Sequence, residues 1–142
     1  MAVVVDANLL VVLVTRDPRR PQVAARFEAW SHEGESLHAP ELMPYEVANA
    51  VAGPLATGTR IDLEDLEEVW RAIRRVPVTL HRLGDGPEAV RFALQLERRS
   101  VYDAAYIALA QRLGTELWTL DGPLARNAAS HGLPVALLES ER

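Results

Sequence analysis

The chain is expected to fold as a three-layer α/β protein around a central, mostly parallel five-stranded sheet. Three observations lead there. Short uninterrupted apolar runs, Val3-Val4-Val5 and Leu117-Trp118-Thr119-Leu120 among them, have the length and continuity of strands buried on both faces. Between such runs lie longer segments with apolar residues at helical spacing. The two kinds alternate along the whole chain, with no internal repeat, low-complexity tract or linker, and that alternation is the pattern of helices crossing over a parallel sheet.

Val3 to Val5 forms the first strand. Leu9 to Val14 is β-branched enough to be a strand by propensity. The Asp6-Ala7-Asn8 turn argues instead for a short helix from near Ala7 that ends before Asp17-Pro18. Pro21 opens a second helix carrying Val23, Phe27 and Trp30 on one face, and Gly34 closes it. Leu37 to Ala39 is the second strand, and Pro40 leads into a helix around Pro44 to Ala50. There Leu42, Glu46, Asn49 and Gly53 make one stripe, and Gly53-Pro54 is expected to end the helix.

Asp62 is placed as the N-cap of a helix from Leu63 to Val76, with Leu66, Val69, Trp70 and Ile73 as its apolar stripe. Val78 to Leu80 is the third strand. Gly84-Asp85-Gly86-Pro87 starts a helix that runs through Ala89, Ala93 and Leu96 to Arg98-Arg99. Ser100 is placed as the cap of an alanine-rich helix ending near Leu113-Gly114, with Asp103 at capping-box spacing. Leu117 to Thr119 is the fourth strand. Gly122-Pro123 starts a helix to Ser130, and Val135 to Leu138 is the fifth strand. Trp30, Trp70 and Phe27 are placed in the core in preference to a subunit interface.

Composition narrows the chemistry. A chain of 142 residues, 49% hydrophobic and 25% charged, has the make-up of one globular domain with a sizeable core. Without cysteine there is no disulfide, zinc-thiolate site or cysteine nucleophile. All 15 basic residues are arginine, so the lysine of a phosphate-binding P-loop is absent. The same lack disfavours the receiver domains and haloacid-dehalogenase phosphatases that also gather aspartates at strand ends. A net charge of -5 argues against indiscriminate nucleic-acid binding, although arginines cluster at 16, 19 and 20, at 71, 74 and 75, and at 98 and 99. No apolar stretch approaches the ~18 residues of a membrane helix and none resembles a signal segment, so a cytoplasmic protein is expected. His32, His38, His81 and His131 have no nucleophile motif around them and read as surface or capping residues.

Four acids stand apart. Asp6 and Asp121 each follow an apolar strand, which places both at the sheet edge where α/β proteins collect ligands. Asp103, at the start of its helix, and Glu46 on the earlier helix can reach that edge too. Each has a plain alternative: Asp103 as a complement to the helix dipole, Glu46 as a solvent-facing residue, Asp121 as a helix cap. Together they would form a carboxylate cluster that cannot stay ionised without a counter-charge, and a divalent metal supplies one.

The order of these motifs resembles the PIN-domain nucleases. Asp-Ala-Asn at 6–8, Glu-Val-Ala-Asn at 46–49, Ser-Val-Tyr-Asp-Ala-Ala-Tyr-Ile-Ala-Leu-Ala at 100–110 and Leu-Trp-Thr-Leu-Asp-Gly-Pro-Leu at 117–124 carry the likeness. Size and spacing are most similar to the VapC ribonuclease toxins of bacterial toxin–antitoxin pairs; Gly53-Pro54 and Gly58 depart from the pattern. The resemblance implies a single PIN domain over 1–142 and an endoribonuclease cutting structured RNA, such as tRNA or rRNA, to leave a 3′-hydroxyl and a 5′-phosphate. It implies a catalytic, Mg²⁺- or Mn²⁺-binding centre of Asp6, Glu46, Asp103 and Asp121, with Asn8 and Thr119 in support. Magnesium takes few carboxylates directly, which points to Asp6 and Asp103 as direct ligands, with Glu46 and Asp121 reaching the ion through water or completing a second site. A cognate antitoxin and a homodimer are implied as well. The competing readings are a catalytically inactive PIN-fold binding protein and a metal-dependent small-molecule phosphatase.

Overall fold

A computed structural model describes residues 1–98 and 100–139. Five strands, β1 (Ala2–Val5), β2 (Ser36–Pro40), β3 (Val78–His81), β4 (Leu117–Thr119) and β5 (Val135–Leu137), form one sheet in the order β3-β2-β1-β4-β5, and every pairing is parallel. The chain lays strands outward from β1 in one direction and then returns to add β4 and β5 on the other side. The reversal falls between β1 and β4.

Among the described residues seven helices cover the sheet: α1 (Ala7–Val14), α2 (Arg20–Glu33), α3 (Met43–Thr57), α4 (Leu66–Arg75), α5 (Gly86–Gln95), α6 (Tyr102–Leu113) and α7 (Gly122–Ser130). α6 lies across β1, β2 and β4 and carries α5 on its back, while α1 packs with α2, α3 and α4 to make the other layer. The alanine richness of α6 explains its place. Every residue from Ala104 to Ala110 is buried, and the small side chains let the helix sink against the strands. Gly114 ends it in the left-handed region at φ 67, a conformation that costs other residues a clash at Cβ. Trp30 is buried and meets Phe27 and Trp118 edge-on at 5.2 and 5.6 Å, and Phe27 and Trp70 pack against the same core.

The structure corrects the sequence reading in five places. Pro54 does not end α3, which runs on to Thr57 before Gly58 closes it at φ 67. The Pro54 ring forfeits one hydrogen bond near the end of the helix, and the Thr57 hydroxyl donates back to the carbonyls of Gly53 and Pro54, both at 3.3 Å. Asp62 makes no capping bond. Leu63–Asp65 is a separate 3-10 turn ahead of α4, and the Asp62 carboxylate faces Arg16 at 3.6 Å instead. The residue preceding α6 is Val101, not Ser100, although the Ser100 hydroxyl still accepts the Tyr102 N–H at 3.2 Å. α5 ends at Gln95, short of the Arg98-Arg99 pair that the sequence placed at its end, and Arg99 itself lies outside the described residues.

His38 and His81 form the fifth correction, being neither caps nor isolated surface groups. Their Nδ1 and Nε2 atoms stand 2.8 Å apart across β2 and β3. The always-protonated Arg112 donates to His81 Nδ1 at 3.3 Å, which fixes the rest of the chain. His81 Nε2–H donates to His38, His38 Nε2–H donates to Ser36 Oγ at 2.8 Å, and the Ser36 hydroxyl donates to the Met1 carbonyl at 3.1 Å.

Candidate active site

Ligands of open α/β sheets collect beyond the strands' carboxyl ends, at the point where strand order reverses. Here β1 and β4 pair Val5 with Trp118, and the Asp6 N–H donates to the Trp118 carbonyl at 3.1 Å. Asp6 and Thr119 therefore come side by side. The fully buried Thr119 donates its hydroxyl to Asp6 Oδ2 at 2.8 Å and accepts the Asp121 N–H at 3.1 Å. One hydroxyl thus ties together the two strand ends that deliver carboxylates.

The remaining two acids arrive on helices. Glu46 is in the first turn of α3 and Asp103 in the first turn of α6, so both project from helix starts toward the same edge. All four carboxylates line one cavity of about 200 Å³, together with Asn8, Asn49 and the small side chains of Ala7 and Ala50. Asn8 reaches Asp6 through its backbone, whose N–H donates to Asp6 Oδ1 at a long 3.5 Å. Asp121 uses Oδ1 to cap α7, accepting the Leu124 N–H at 3.0 Å. Arg98 approaches Asp103 at 3.8 Å.

This concentration of acid is costly. Burial, first of all, pushes the Asp6 carboxyl up to about 6; hydrogen bonds from Thr119 and Asn8 hold it down, and the charges of Asp103 and Glu46 push it further up. Burial likewise raises Glu46 and Asp103 above the usual carboxylate range. Tyr106 opposes the rise at Glu46 and Arg98 opposes it at Asp103. Helix geometry supplies the protein's own counterweight: α1, α3, α6 and α7 all begin at this cavity, and each presents the positive end of its dipole to a carboxylate.

The donor set is all oxygen, which fits a hard divalent cation. Glu46 lines the cavity, and its Oε1 is shielded from water with no hydrogen-bond partner, a buried acceptor left unanswered beside the site. Among the described residues, no three acidic or histidine side chains are drawn close enough to form a ready cage. A set so spaced suits an ion that keeps part of its own water shell.

Tyr106 belongs to this region and was not anticipated from sequence. Its hydroxyl is buried without a partner, and burial followed by the nearby Glu46 carboxylate raises it far above its ordinary range. The signal was present: Tyr106 lies three residues after Asp103, on the same face of α6.

An all-parallel sheet with four carboxylates gathered at its switch point defines an α/β protein organised around an acidic pocket. The model of one family, the PIN domain, matches residues 3–129. Ribonuclease VapC3 of Pyrobaculum aerophilum is 35% identical over 129 residues, spanning 88% of this chain and 93% of the relative. Ribonuclease VapC12 of Mycobacterium tuberculosis is 32% identical over 130 residues, 92% of each chain. A crystal structure from Pyrobaculum aerophilum superposes with a TM-score of 0.66 at 25% identity, over 89% of this chain and 79% of that one. The chain belongs to the PIN domain family, in its VapC ribonuclease branch.

Proposed function

We propose that this chain is an endoribonuclease, the toxin of a toxin–antitoxin pair, and that Asp6, Glu46, Asp103 and Asp121 form its catalytic centre around Mg²⁺ or Mn²⁺. The observation that carries the proposal is the convergence of those four carboxylates, from four separate segments of sequence, on one cavity. A bound divalent ion would supply an acidified water and neutralise charge developing on a phosphodiester. The chain's own groups do the rest. Thr119 holds Asp6 in place, and Asp121 caps α7 with one oxygen while its side chain lines the cavity. Arg98, beside Asp103, offers a guanidinium for a flanking phosphate. Asn8 and Asn49 offer amides at the cavity wall.

Substrate and partners follow the same reading. Specific RNA recognition favours unpaired loops, which suits structured RNAs such as tRNA or rRNA. A cognate antitoxin is the proposed partner, on the strength of the VapC relatives. A homodimer is supported by the exposure of Leu83, Val101 and Tyr102 around one groove beside His81 and Arg112. Among the described residues no helix is long and apolar enough to cross a membrane, and we place the protein in the cytoplasm as one domain over 1–142.

The test is incubation of the purified chain with total RNA and with a generic phosphomonoester, each with Mn²⁺ and with EDTA. RNA should be cut only with the metal, and Asp103→Asn should abolish the cut. Turnover of the phosphomonoester alone would move the assignment to a small-molecule phosphatase, and no turnover of either to an inactive binding protein.

A further inference from the structure

Three buried polar side-chain atoms have no hydrogen-bond partner among the described residues. Glu35 Oε2 lies 4.0 Å from the N-terminal amine, which accounts for it. The other two, the Tyr106 hydroxyl and Glu46 Oε1, belong to one place. Glu46 is the carboxylate acting most strongly on the Tyr106 hydroxyl, ahead of Asp6. One atom is a donor, the other an acceptor, and each is the natural partner of the other.

The setting makes the pairing hard to dismiss as packing. Tyr106 is 2% exposed, in the row of α6 residues sunk against the sheet, where a phenylalanine would fill the same space without burying a hydroxyl. Side chains on a helix lean toward its N-terminus, so a tyrosine three residues after Asp103 carries its hydroxyl back under the acidic cavity. Glu46 itself sits on a separate helix and has no other hydrogen bond to fix its Oε1.

We propose that Tyr106 is a positioning residue: its hydroxyl donates to Glu46 Oε1 when the cavity holds a divalent cation, and so decides which carboxylate oxygen is presented to the ion. The inference rests on the divalent-cation reading above. Groups that orient a metal ligand in this way typically change metal affinity or activity by about 10–100-fold when removed.

The experiment compares wild type, Tyr106→Phe, Glu46→Gln and the double variant. Mn²⁺ binding to the full chain is measured by titration calorimetry, the melting temperature is read in EDTA, and kcat and KM are determined on a cleaved RNA. Tyr106→Phe should weaken Mn²⁺ binding by about 10-fold, lower kcat more than it raises KM, and leave the EDTA melting temperature unchanged or higher. Glu46→Gln should weaken binding at least as much, and the double variant no further, because the hydroxyl acts only through Glu46. Wild-type Mn²⁺ affinity in Tyr106→Phe overturns the proposal, as do losses that simply add in the double variant. A fall in the EDTA melting temperature also overturns it, since that is the mark of a structural hydroxyl. Failure of the underlying reading looks different: wild type takes up no Mn²⁺, or Glu46→Gln binds it unchanged, and both conclusions then go together.

Discussion

Asp6→Asn should make the metal-free protein more stable while destroying the site. The Asp6 carboxyl has an ordinary value of 3.8 and is pushed up to about 6 in the folded chain, a difference of about two pH units. At about 1.4 kcal/mol per unit, ionised Asp6 costs the fold about 3 kcal/mol. Asparagine removes the charge but keeps only one of two acceptor oxygens, so one of the bonds from Thr119 and Asn8 is lost, worth about 1 kcal/mol. The net gain is about 2 kcal/mol, or about 6 °C in Tm for a chain of this size. The sign follows from linkage. A group whose value is raised on folding costs nothing below its unfolded value, and its cost grows as pH rises through the folded one. The variant should therefore match or trail wild type near about pH 4 and lead it in full above about pH 7. Thermal melts in EDTA across that range read the crossover. Saturating Mn²⁺ should reverse the order at high pH, because a ligand at about 100 times its Kd adds about 2.7 kcal/mol to the chain that binds it. A variant less stable than wild type at high pH in EDTA, or a gap that ignores pH, would refute the electrostatic account of this cavity.

Thr119→Val leaves Asp6 and the Asp121 N–H without the hydroxyl between them and should cost about 1–3 kcal/mol together with RNA cleavage; Thr119→Ser, which restores both bonds, should recover both in melts and cleavage assays. Asp17, its side chain 1% exposed, accepts from Arg19 at 3.0 Å and faces Arg60 at 2.9 Å. Asp17→Asn should lower urea stability by about 3 kcal/mol. The Arg19 bond holds the Asp17 carboxyl below 3.8, so that contribution is present above this value and lost as pH falls beneath it. For His38, burial and then His81 lower the ring below its usual 6.5, so its contribution is present above 6.5 and fades as pH drops. Ring-nitrogen NMR should find His38 neutral with its proton on Nε2, and a midpoint at or above 6.5 would refute the chain from Arg112 to Ser36.

The sheet was legible because its strands are buried on both faces. Val3 to Val5 and Leu117 to Thr119 can be continuous only where helices cover both sides, and that fact carries parallel order and the carboxyl-edge position of Asp6 and Asp121 with it. Helix ends were legible where the chemistry is local, as at Gly34 and Gly114, and missed where a neighbour decides. Pro54 lies in the last turn of α3, where the Thr57 hydroxyl donates to the end carbonyls of Gly53 and Pro54, and Asp62 makes no cap bond while its carboxylate faces Arg16 at 3.6 Å. The histidine pair joins residues 43 apart in sequence, and no pattern in either strand marks it. Tyr106 sat within a quoted motif, but burial of its hydroxyl depends on how deeply α6 sinks, which composition suggests and only packing fixes.

The plain and functional readings of an acid near a helix start turn out not to compete. A carboxylate has two oxygens, and a cap needs one. Asp121 gives Oδ1 to the Leu124 N–H and lines the cavity as well, so the bond that orders α7 also fixes the carboxylate at the site. Asp6 also caps α1, with Oδ1 toward the Asn8 N–H while Oδ2 takes the Thr119 hydroxyl, and Glu46 and Asp103 sit in the first turns of α3 and α6. Placing every acid at a helix start lets four dipoles offset part of the mutual repulsion, which four mid-helix carboxylates could not do. The offset is incomplete, since Asp6, Glu46 and Asp103 all remain raised. On the proposed divalent-cation reading, that residue of strain is what the ion relieves, so affinity for the ion and instability without it have one origin, and a substitution that lessens the second is expected to lessen the first.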